Sequence, residues 1–144
     1  SESVLQPVTK WLRQSDQKPT FEDARAAQAM LVQRIETAFG DADILLSATV
    51  STVAPRIGEY DQPDDPLAWF SGAAQLGALT APFNLTTGPA ASLPLGLTEA
   101  GLPYGVQLGA HPGQDNLLFS LCKQVEDASP WHHRCAPGFS GNDA

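Results

Sequence analysis

Residues 90–108, which read AASLPLGLTEAGLPYGVQL, decide the fold of this chain. Their two apolar halves, AASLPLGL and LPYGVQL, are joined by residues 98–101, a short link that ends in glycine. Two apolar runs on either side of such a link predict a β-hairpin. Pro94 and Pro103 interrupt the runs. Because proline cannot donate a ladder hydrogen bond, we expect both strands to be irregular or to lie at the sheet margin.

The segment before the hairpin contains the clearest helix signal in the chain. Thr20, followed three residues later by Asp23, resembles a capping box, and Gly40 is a residue type that commonly ends a helix. Apolar residues recur between them at helical spacing: Phe21, Ala24, Ala27, Leu31, Ile35 and Phe39. The sequence therefore predicts a helix that places one face against a core.

Four further segments complete the predicted order of elements. Apolar residues at helical spacing predict a short helix over residues 4–14 and a second amphipathic helix over residues 115–127. The run DILLSATV, residues 43–50, predicts a buried strand. Residues 67–79 are rich in small side chains and predict a buried helix that stops before Pro82.

Two features of the middle of the chain concern its surface and its packing. Residues 55–66 contain three prolines and four acidic residues, so we expect a surface loop there. Gly72 and Gly77, in the helix that follows, would permit the close approach of a neighbouring segment.

Length and composition limit the fold class. A chain of 144 residues corresponds to about one domain, so we expect a single unit over residues 1–144. Within it we expect a helical front over about 1–40, a sheet and helix part over about 41–128, and a loop-like tail over 129–144. Apolar residues make up 42% of the chain, which is enough for a core. The order of helices and strands is compatible with the α/β class.

Charge and cysteine content exclude several function classes. The formal net charge of -8 opposes the nonspecific attraction to phosphates on which nucleic-acid binding depends, so nucleic acid and anionic membranes are poor partners. No apolar run approaches the length of a membrane span, and the first residues lack the pattern of a signal peptide. Two cysteines are too few for a disulfide scaffold. We therefore expect a cytoplasmic protein.

Four stretches of literal sequence narrow the class further. They are residues 43–49 (DILLSAT), 54–58 (APRIG), 80–96 (TAPFNLTTGPAASLPLG) and 101–109 (GLPYGVQLG). In this order they resemble the C-terminal third of the amidase signature family of hydrolases, and several ordered motifs are far more specific than one. The resemblance implies the C-terminal part of an α/β/α fold, with a mixed sheet flanked by helices.

The resemblance also shows which catalytic groups this chain does not contain. It implies a Ser nucleophile, activated through a second Ser with a cis peptide bond and a Lys base, on a stretch rich in Gly and Ser. No such stretch occurs here, and the lysines are Lys10, Lys18 and Lys123, none of them near a Gly/Ser-rich loop. We therefore expect no catalytic residue in this chain and no amide hydrolysis by the chain alone.

Four residues are candidates for one wall of a substrate pocket. The resemblance places Phe83 and Asn84 near the substrate of a complete enzyme, although Asn84 could equally be a turn residue and Phe83 a core residue. Trp69 and Phe70 follow the acidic loop and could line an acyl pocket, because ligand sites are mostly apolar. Burial in a core is the alternative for both aromatic side chains.

Other nucleophile and metal sites have little support. Ser71 and Ser92 lack the Gly-x-Ser-x-Gly turn and a recognisable base. Four side chains could be considered as zinc ligands: Cys122, His132, His133 and Cys135. Their spacing matches no ordinary zinc finger, so we expect neither a metal nor a cofactor.

Two functions remain open at this point. The first is the C-terminal portion of an amidase that acts on a small-molecule amide, completing the sheet and one wall of the cleft. The expected partner is then the N-terminal amidase part or, without it, a second copy of the chain. The alternative is a truncated, non-catalytic relative that serves as an interaction module.

Overall fold

The computed structural model describes residues 4–14, 19–61 and 64–136. The elements in these residues follow the order α1 (Pro7–Gln14), α2 (Phe21–Phe39), β1 (Ile44–Ala48), α3 (Pro66–Gly77), α4 (Ala81–Thr86), β2 (Ala90–Leu97), β3 (Pro103–Ala110) and α5 (Asp115–Ala128). Helices and strands thus occur in one chain as expected, and the α/β class is confirmed. The last eight residues of the expected tail, 137–144, lie outside the described residues.

The predicted hairpin is present as β2 and β3. The two strands pair antiparallel, and the link between them closes through a hydrogen bond from the Gly101 N–H to the Thr98 carbonyl at 2.9 Å. Gly101 has a φ of 78°, a left-handed conformation that glycine adopts without steric cost. β1 joins the other side of β3, again antiparallel, so the strand order is β1-β3-β2.

The two prolines of the hairpin have different surroundings. Pro94 lies where the register of β2 shifts, between Leu93 and Gly96, and β2 is at the margin of the described sheet as expected. Pro103 is the first residue of β3, which is the central strand. The expectation of a marginal strand is therefore wrong for β3. A proline at the first position of a strand is compatible with a central place in the sheet.

β1 is not the buried strand that its apolar sequence predicts. It pairs only with β3 among the described strands, and the Leu46 side chain is 70% exposed. An apolar run does not determine how many strands lie beside it. The burial predicted for β1 is therefore wrong. All the described strand pairs are antiparallel, so the parallel pairs of a mixed sheet are not among them.

The described residues divide into two units, and the sheet belongs to the second, residues 43–49 and 88–136. α5 packs on β2 and β3. Four buried residues form the core of this unit: Leu93, Leu108, Ala110 and Leu118. Leu118 is on the apolar face of α5, so the predicted amphipathic helix is confirmed together with the face that it buries.

The first unit is helical and comprises the described residues within 1–42 and 50–87. In it, α1 packs with α3, and α2 packs with α4. α4 is a short helix that no pattern in the sequence predicted. Residues 55–61, 64 and 65 form neither helix nor strand, in line with the expected loop. The single domain expected over the whole chain stays a prediction.

α2 has the predicted ends but not the predicted burial. The Thr20 hydroxyl accepts a hydrogen bond from the Asp23 N–H at 3.1 Å, and the Asp23 carboxylate accepts one from the Thr20 N–H at 3.0 Å, which completes a capping box. Of the predicted apolar face, only Phe39 is buried in α2; Phe21 is 78% and Leu31 43% exposed. The expectation of a core-facing stripe is therefore wrong for most of this helix.

α3 is also less buried than its composition predicts, since none of its residues is buried. Gly72 does permit a close approach: a Cβ atom there would lie 2.6 Å from the Tyr60 ring. Gly77 does not, because the nearest atom to a Cβ there would be 4.0 Å away. The small side chains thus admit one aromatic ring and do not bury the helix.

Because of the capping box, the pKa of the Asp23 carboxyl reports whether the N-terminal cap of α2 is formed. Hydrogen bonds from the Thr20 side chain and backbone lower the pKa of Asp23 below its ordinary value of about 3.8. Because the folded pKa is the lower one, the cap stabilises α2 above about pH 3.8 and loses this effect as the pH falls through the folded pKa. We expect Thr20→Ala to raise the pKa of Asp23 towards 3.8, measured by NMR titration of the carboxyl carbon.

Thr37→Ala is the matched control, because the Thr37 hydroxyl donates to the Gln33 carbonyl of the same helix and does not contact Asp23. An equal pKa change at Asp23 in both variants would contradict the assignment of the capping box.

Candidate functional site

α3 holds two of the four predicted pocket residues. The helix begins at Pro66 because the Asp65 carboxylate accepts a hydrogen bond from the Ala68 N–H at 3.0 Å. Trp69 is half-buried and Phe70 is 43% exposed. The Phe70 ring lies 6.1 Å from the Trp11 ring of α1, with the planes tilted by 45°. Phe70 therefore contacts an aromatic partner and still presents part of its ring at the surface.

α4 holds the other two. It follows Thr80, whose carbonyl accepts a hydrogen bond from the Phe83 N–H at 3.2 Å, and Thr87 ends it with a φ of 60°. Phe83 is half-buried, whereas Asn84 is exposed within the helix. An exposed carboxamide can donate and accept hydrogen bonds, which is the capability that a substrate amide requires.

The four residues are in the same unit but on different helix pairs. Trp69 and Phe70 are on α3, which packs with α1, while Phe83 and Asn84 are on α4, which packs with α2. The structure therefore places two aromatic side chains on the α1–α3 helix pair, and one aromatic side chain and one amide on the α2–α4 helix pair. Their role as a pocket wall stays a prediction.

The sheet presents a row of polar side chains on the face opposite α5. Ser47, Gln107 and Ser92 are directly opposite one another across β1, β3 and β2, and we call them the polar row. Directly opposite residues of an antiparallel pair share a face. Gln107 is only 3% exposed, and its amide nitrogen donates to the Ser47 hydroxyl at 3.3 Å. The polar row therefore links side chains of neighbouring strands.

A pair of hydroxyl groups lies beside the polar row. The Thr49 and Ser92 hydroxyl oxygens are 2.6 Å apart, so one donates to the other. Both lie over Gly105 of β3, where a Cβ atom would be 2.6 Å from the Ser92 oxygen and 2.7 Å from the Thr49 oxygen. Glycine at this position thus makes the room in which the two hydroxyl groups meet.

This hydroxyl pair was not predicted from the sequence, although the symmetry of the hairpin indicates the position of Ser92. Symmetrical pairing about residues 98–101 places Ser92 opposite Gln107, as the structure does. The contribution of Thr49 depends on the pairing of β1 with β3, which no local pattern indicates.

The geometry does not make Ser92 a catalytic nucleophile. Its hydroxyl partner among the described residues is the neutral Thr49 hydroxyl and not an imidazole or an amine, so this contact supplies no base that could accept its proton. In the part of the chain that the structure describes, no group of three or more His, Cys, Asp or Glu side chains could hold a metal ion. The described residues therefore offer hydrogen-bonding groups and apolar surface, and the expected absence of a catalytic residue stays a prediction.

Comparison with known proteins agrees with this geometry. Residues 3–119 match the family model described as Amidase. The chain is 40% identical over 95 residues to the 6-aminohexanoate-cyclic-dimer hydrolase of Paenarthrobacter ureafaciens, covering 62% of this chain and 19% of that protein. It is 34% identical over 114 residues to a subunit of the glutamyl-tRNA(Gln) amidotransferase of Gloeothece citriformis, covering 79% of this chain and 22% of that protein.

A solved structure of a 6-aminohexanoate cyclic dimer hydrolase superimposes with a TM-score of 0.78 at 30% sequence identity. The superposition covers 93% of this chain and 30% of that structure. Fold and sequence thus both match the C-terminal portion of Amidase-family proteins. The chain belongs to the Amidase family.

The chain spans about a fifth of the length of the curated relatives that it matches. Within the described residues, no helix is both long and apolar enough to cross a membrane.

The crowding at Gly105 can be tested by substitution. Gly105→Ala inserts a methyl group between two hydroxyl oxygens that lie less than 3 Å away, and overpacking of this kind costs about 1–3 kcal/mol. We expect a lower urea midpoint for Gly105→Ala, and partial recovery on adding Ser92→Ala. The control is Gly77→Ala, where the nearest atom is 4.0 Å away. An unchanged midpoint in Gly105→Ala would show that the two hydroxyl groups do not meet over this residue.

The two cysteines should differ in reactivity. Cys122 packs against the core of the sheet unit, and its burial raises the pKa of the thiol, whereas Cys135 is exposed. Since the thiolate is the nucleophile, we expect a maleimide to label Cys135 first at pH 7, with Cys122 reacting as the pH approaches its raised pKa or on unfolding. The variants Cys122→Ala and Cys135→Ala, analysed by mass spectrometry, assign each rate. Equal rates at pH 7 would contradict the packing of Cys122.

Proposed function

We propose that this chain is the C-terminal portion of an enzyme that hydrolyses a small-molecule amide bond, and that the catalytic groups are supplied by polypeptide outside it. The observation that carries the proposal is the superposition on a solved amide hydrolase over 93% of this chain. The described residues contribute surface and hydrogen-bonding groups. A small amide is the substrate class because one matched hydrolase is named for a cyclic amide dimer.

In this proposal, the residues of α3 and α4 form one wall of the substrate cleft. Trp69, Phe70 and Phe83 supply apolar surface, and the exposed Asn84 carboxamide donates to or accepts from the substrate amide. A pocket with mostly apolar walls and one polar side chain fixes the orientation of a ligand, which raises the effective concentration of the reacting groups. Cys122 and Cys135 are free thiols, in keeping with a reducing cytoplasm, where we place the enzyme.

The alternative function, a non-catalytic interaction module, is favoured by the exposed apolar side chains of α2. Phe21 and Leu31, both on the predicted apolar face, are 78% and 43% exposed, and an exposed apolar face is typical of an interaction site. The remaining part of an amidase or a second copy of the chain would cover it equally. The two functions differ in whether the completed protein turns over an amide.

A chimaera tests the enzymatic function. This chain replaces the segment that it matches in the Paenarthrobacter hydrolase, and hydrolysis of 6-aminohexanoate cyclic dimer is measured. We expect activity from the chimaera and none from the isolated chain. Asn84→Ala should lower kcat/KM by about fivefold, since the loss of one hydrogen bond costs roughly 1 kcal/mol.

Thr37→Ala is the control for this experiment, because its side chain bonds within α2 and is not in the proposed wall. A folded but inactive chimaera would favour the interaction module. Amide turnover by the isolated chain that disappears in Ser92→Ala or Ser71→Ala would refute the assignment of catalysis to another part of the protein.

A further inference from the structure

The helix α3, which carries two residues of the proposed substrate wall, lies between two aromatic rings from other parts of the chain. The Trp11 ring of α1 contacts the Phe70 ring, and the Tyr60 ring from the loop before α3 lies over Gly72. All four residues belong to the helical unit. We call Trp11 and Tyr60 the aromatic clamp. Neither of them was a candidate site residue in the sequence analysis.

α1 places Trp11 on the side that meets α3. Val8 is buried and Trp11 follows it by three residues, so both lie on one side of the helix. The ring centroids of Trp11 and Phe70 are 6.1 Å apart and the planes are tilted by 45°, which is within the range where aromatic rings attract each other. This contact limits the orientations open to the Phe70 side chain, which is 43% exposed.

The loop before α3 presents Tyr60 in a defined position. The Glu59 N–H donates to the Arg56 carbonyl at 3.0 Å, and the Asp61 N–H donates to the Gly58 carbonyl at 3.0 Å. The Glu59 carboxylate accepts a further hydrogen bond from the Arg56 N–H at 2.8 Å. Gly58 has a φ of 84°, which glycine adopts without steric cost. The loop is therefore folded on itself, and it holds Tyr60 half-buried.

Gly72 lets the Tyr60 ring reach the backbone of α3. A Cβ atom at residue 72 would lie 2.6 Å from Tyr60 Cδ1 and 3.1 Å from Tyr60 Cε1, closer than the optimal separation of two carbon atoms. Trp69 precedes Gly72 by three residues and lies on the same side of the helix. The Tyr60 ring therefore packs on the side of α3 that carries Trp69.

The contacts of α3 make its position depend on these two rings. None of its residues is buried, and residues 71–74 have small side chains. A segment with few buried apolar contacts has little local stability of its own. Side chains that are ordered before a ligand arrives lose less conformational freedom when it binds. The aromatic clamp can therefore change the affinity for a ligand without touching the ligand.

We propose that the aromatic clamp positions the substrate wall: Trp11 fixes the Phe70 ring, and Tyr60 fixes the turn of α3 that carries Trp69. This inference rests on the proposed function, and both clamp residues act through the wall and not on the reacting atoms. Two ordered aromatic side chains offer a flat apolar surface. Such a surface favours an amide that carries a ring or a long carbon chain over a short-chain amide.

The chimaera of the proposed function is used for the test, and kcat and KM for 6-aminohexanoate cyclic dimer are measured. We expect Trp11→Ala to raise KM about fivefold and to leave kcat within about twofold, because Phe70 must then be ordered on binding. Trp11→Phe keeps a ring against Phe70, so its KM should stay within about twofold of the unsubstituted value. A loss of folded protein would lower the apparent kcat and leave KM unchanged.

Gly72→Ala tests the other half of the clamp. The added methyl group displaces the Tyr60 ring, so KM should rise as in Tyr60→Ala, with no further rise in the double variant. The control is Phe119→Ala, which removes a 70% exposed ring from α5 in the sheet unit. Four results would each overturn the proposal: an unchanged KM in Trp11→Ala or Tyr60→Ala, no rescue by Trp11→Phe, additive effects in the double variant, or an equal rise in Phe119→Ala.

A binding assay tests the substrate class. The catalytic nucleophile of the hydrolase part of the chimaera is replaced by Ala, and the Kd for the cyclic dimer is measured by equilibrium dialysis. Benzamide should displace the dimer at a concentration at least about fivefold lower than acetamide, because it buries a ring. This difference should shrink in Trp11→Ala. Equal displacement by the two amides, or no binding of the dimer, would overturn the inference.

The two assays separate this inference from the proposed function. A Kd that rises about fivefold in Trp11→Ala, in a chimaera that hydrolyses nothing when its nucleophile is present, would refute only the enzymatic function. Turnover with KM and Kd independent of Trp11 and Tyr60 would refute only the aromatic clamp.

Discussion

The pairing of β3 with both its hairpin partner β2 and the distant strand β1 is the constraint on which the sheet unit depends. β2 and β3 are the two arms of one hairpin. β1 precedes β2 by more than forty residues, since Thr49 and Ser92 are 43 residues apart in sequence. Closing so long a loop costs conformational entropy, which the ladder and the packing of α5 must offset. The apolar core of Leu93, Leu108 and Leu118 forms where β2, β3 and α5 meet, and Ile44 of β1 packs against it.

The same pairing gives the two faces of the sheet different chemistry. Side chains alternate along each strand, so the apolar residues of β2 and β3 lie under α5, while the polar row lies on the other face. Close packing on the polar face depends on Gly105, which leaves space for the Thr49 and Ser92 hydroxyl groups. The hydroxyl groups hydrogen-bond to each other, which helps to hold β1 beside β2 and β3.

Three exposed features have a common explanation in the proposed function. The apolar residues of α2, the partly exposed Phe70 of α3 and the open edge of β1 are all surfaces that a larger protein would cover. The chain spans about a fifth of its curated relatives, so most of an amidase is available to cover them. Catalytic groups and this covering polypeptide would then come from the same source.

The sequence by itself determined the elements whose stability is local. The capping box of Thr20 and Asp23, the hairpin that turns at Gly101, the amphipathic helix α5 and the membership of the Amidase family were all predicted, because each depends on residues close together in sequence or on a literal motif. The tertiary structure alone decided that β1 is an edge, that β3 is central, and that most of α2 is exposed. It alone brought Thr49 to Ser92 and Trp11 to Phe70. These outcomes depend on which distant segments become neighbours. The periodicity of side chains indicates that a face is apolar, but not which segment covers it.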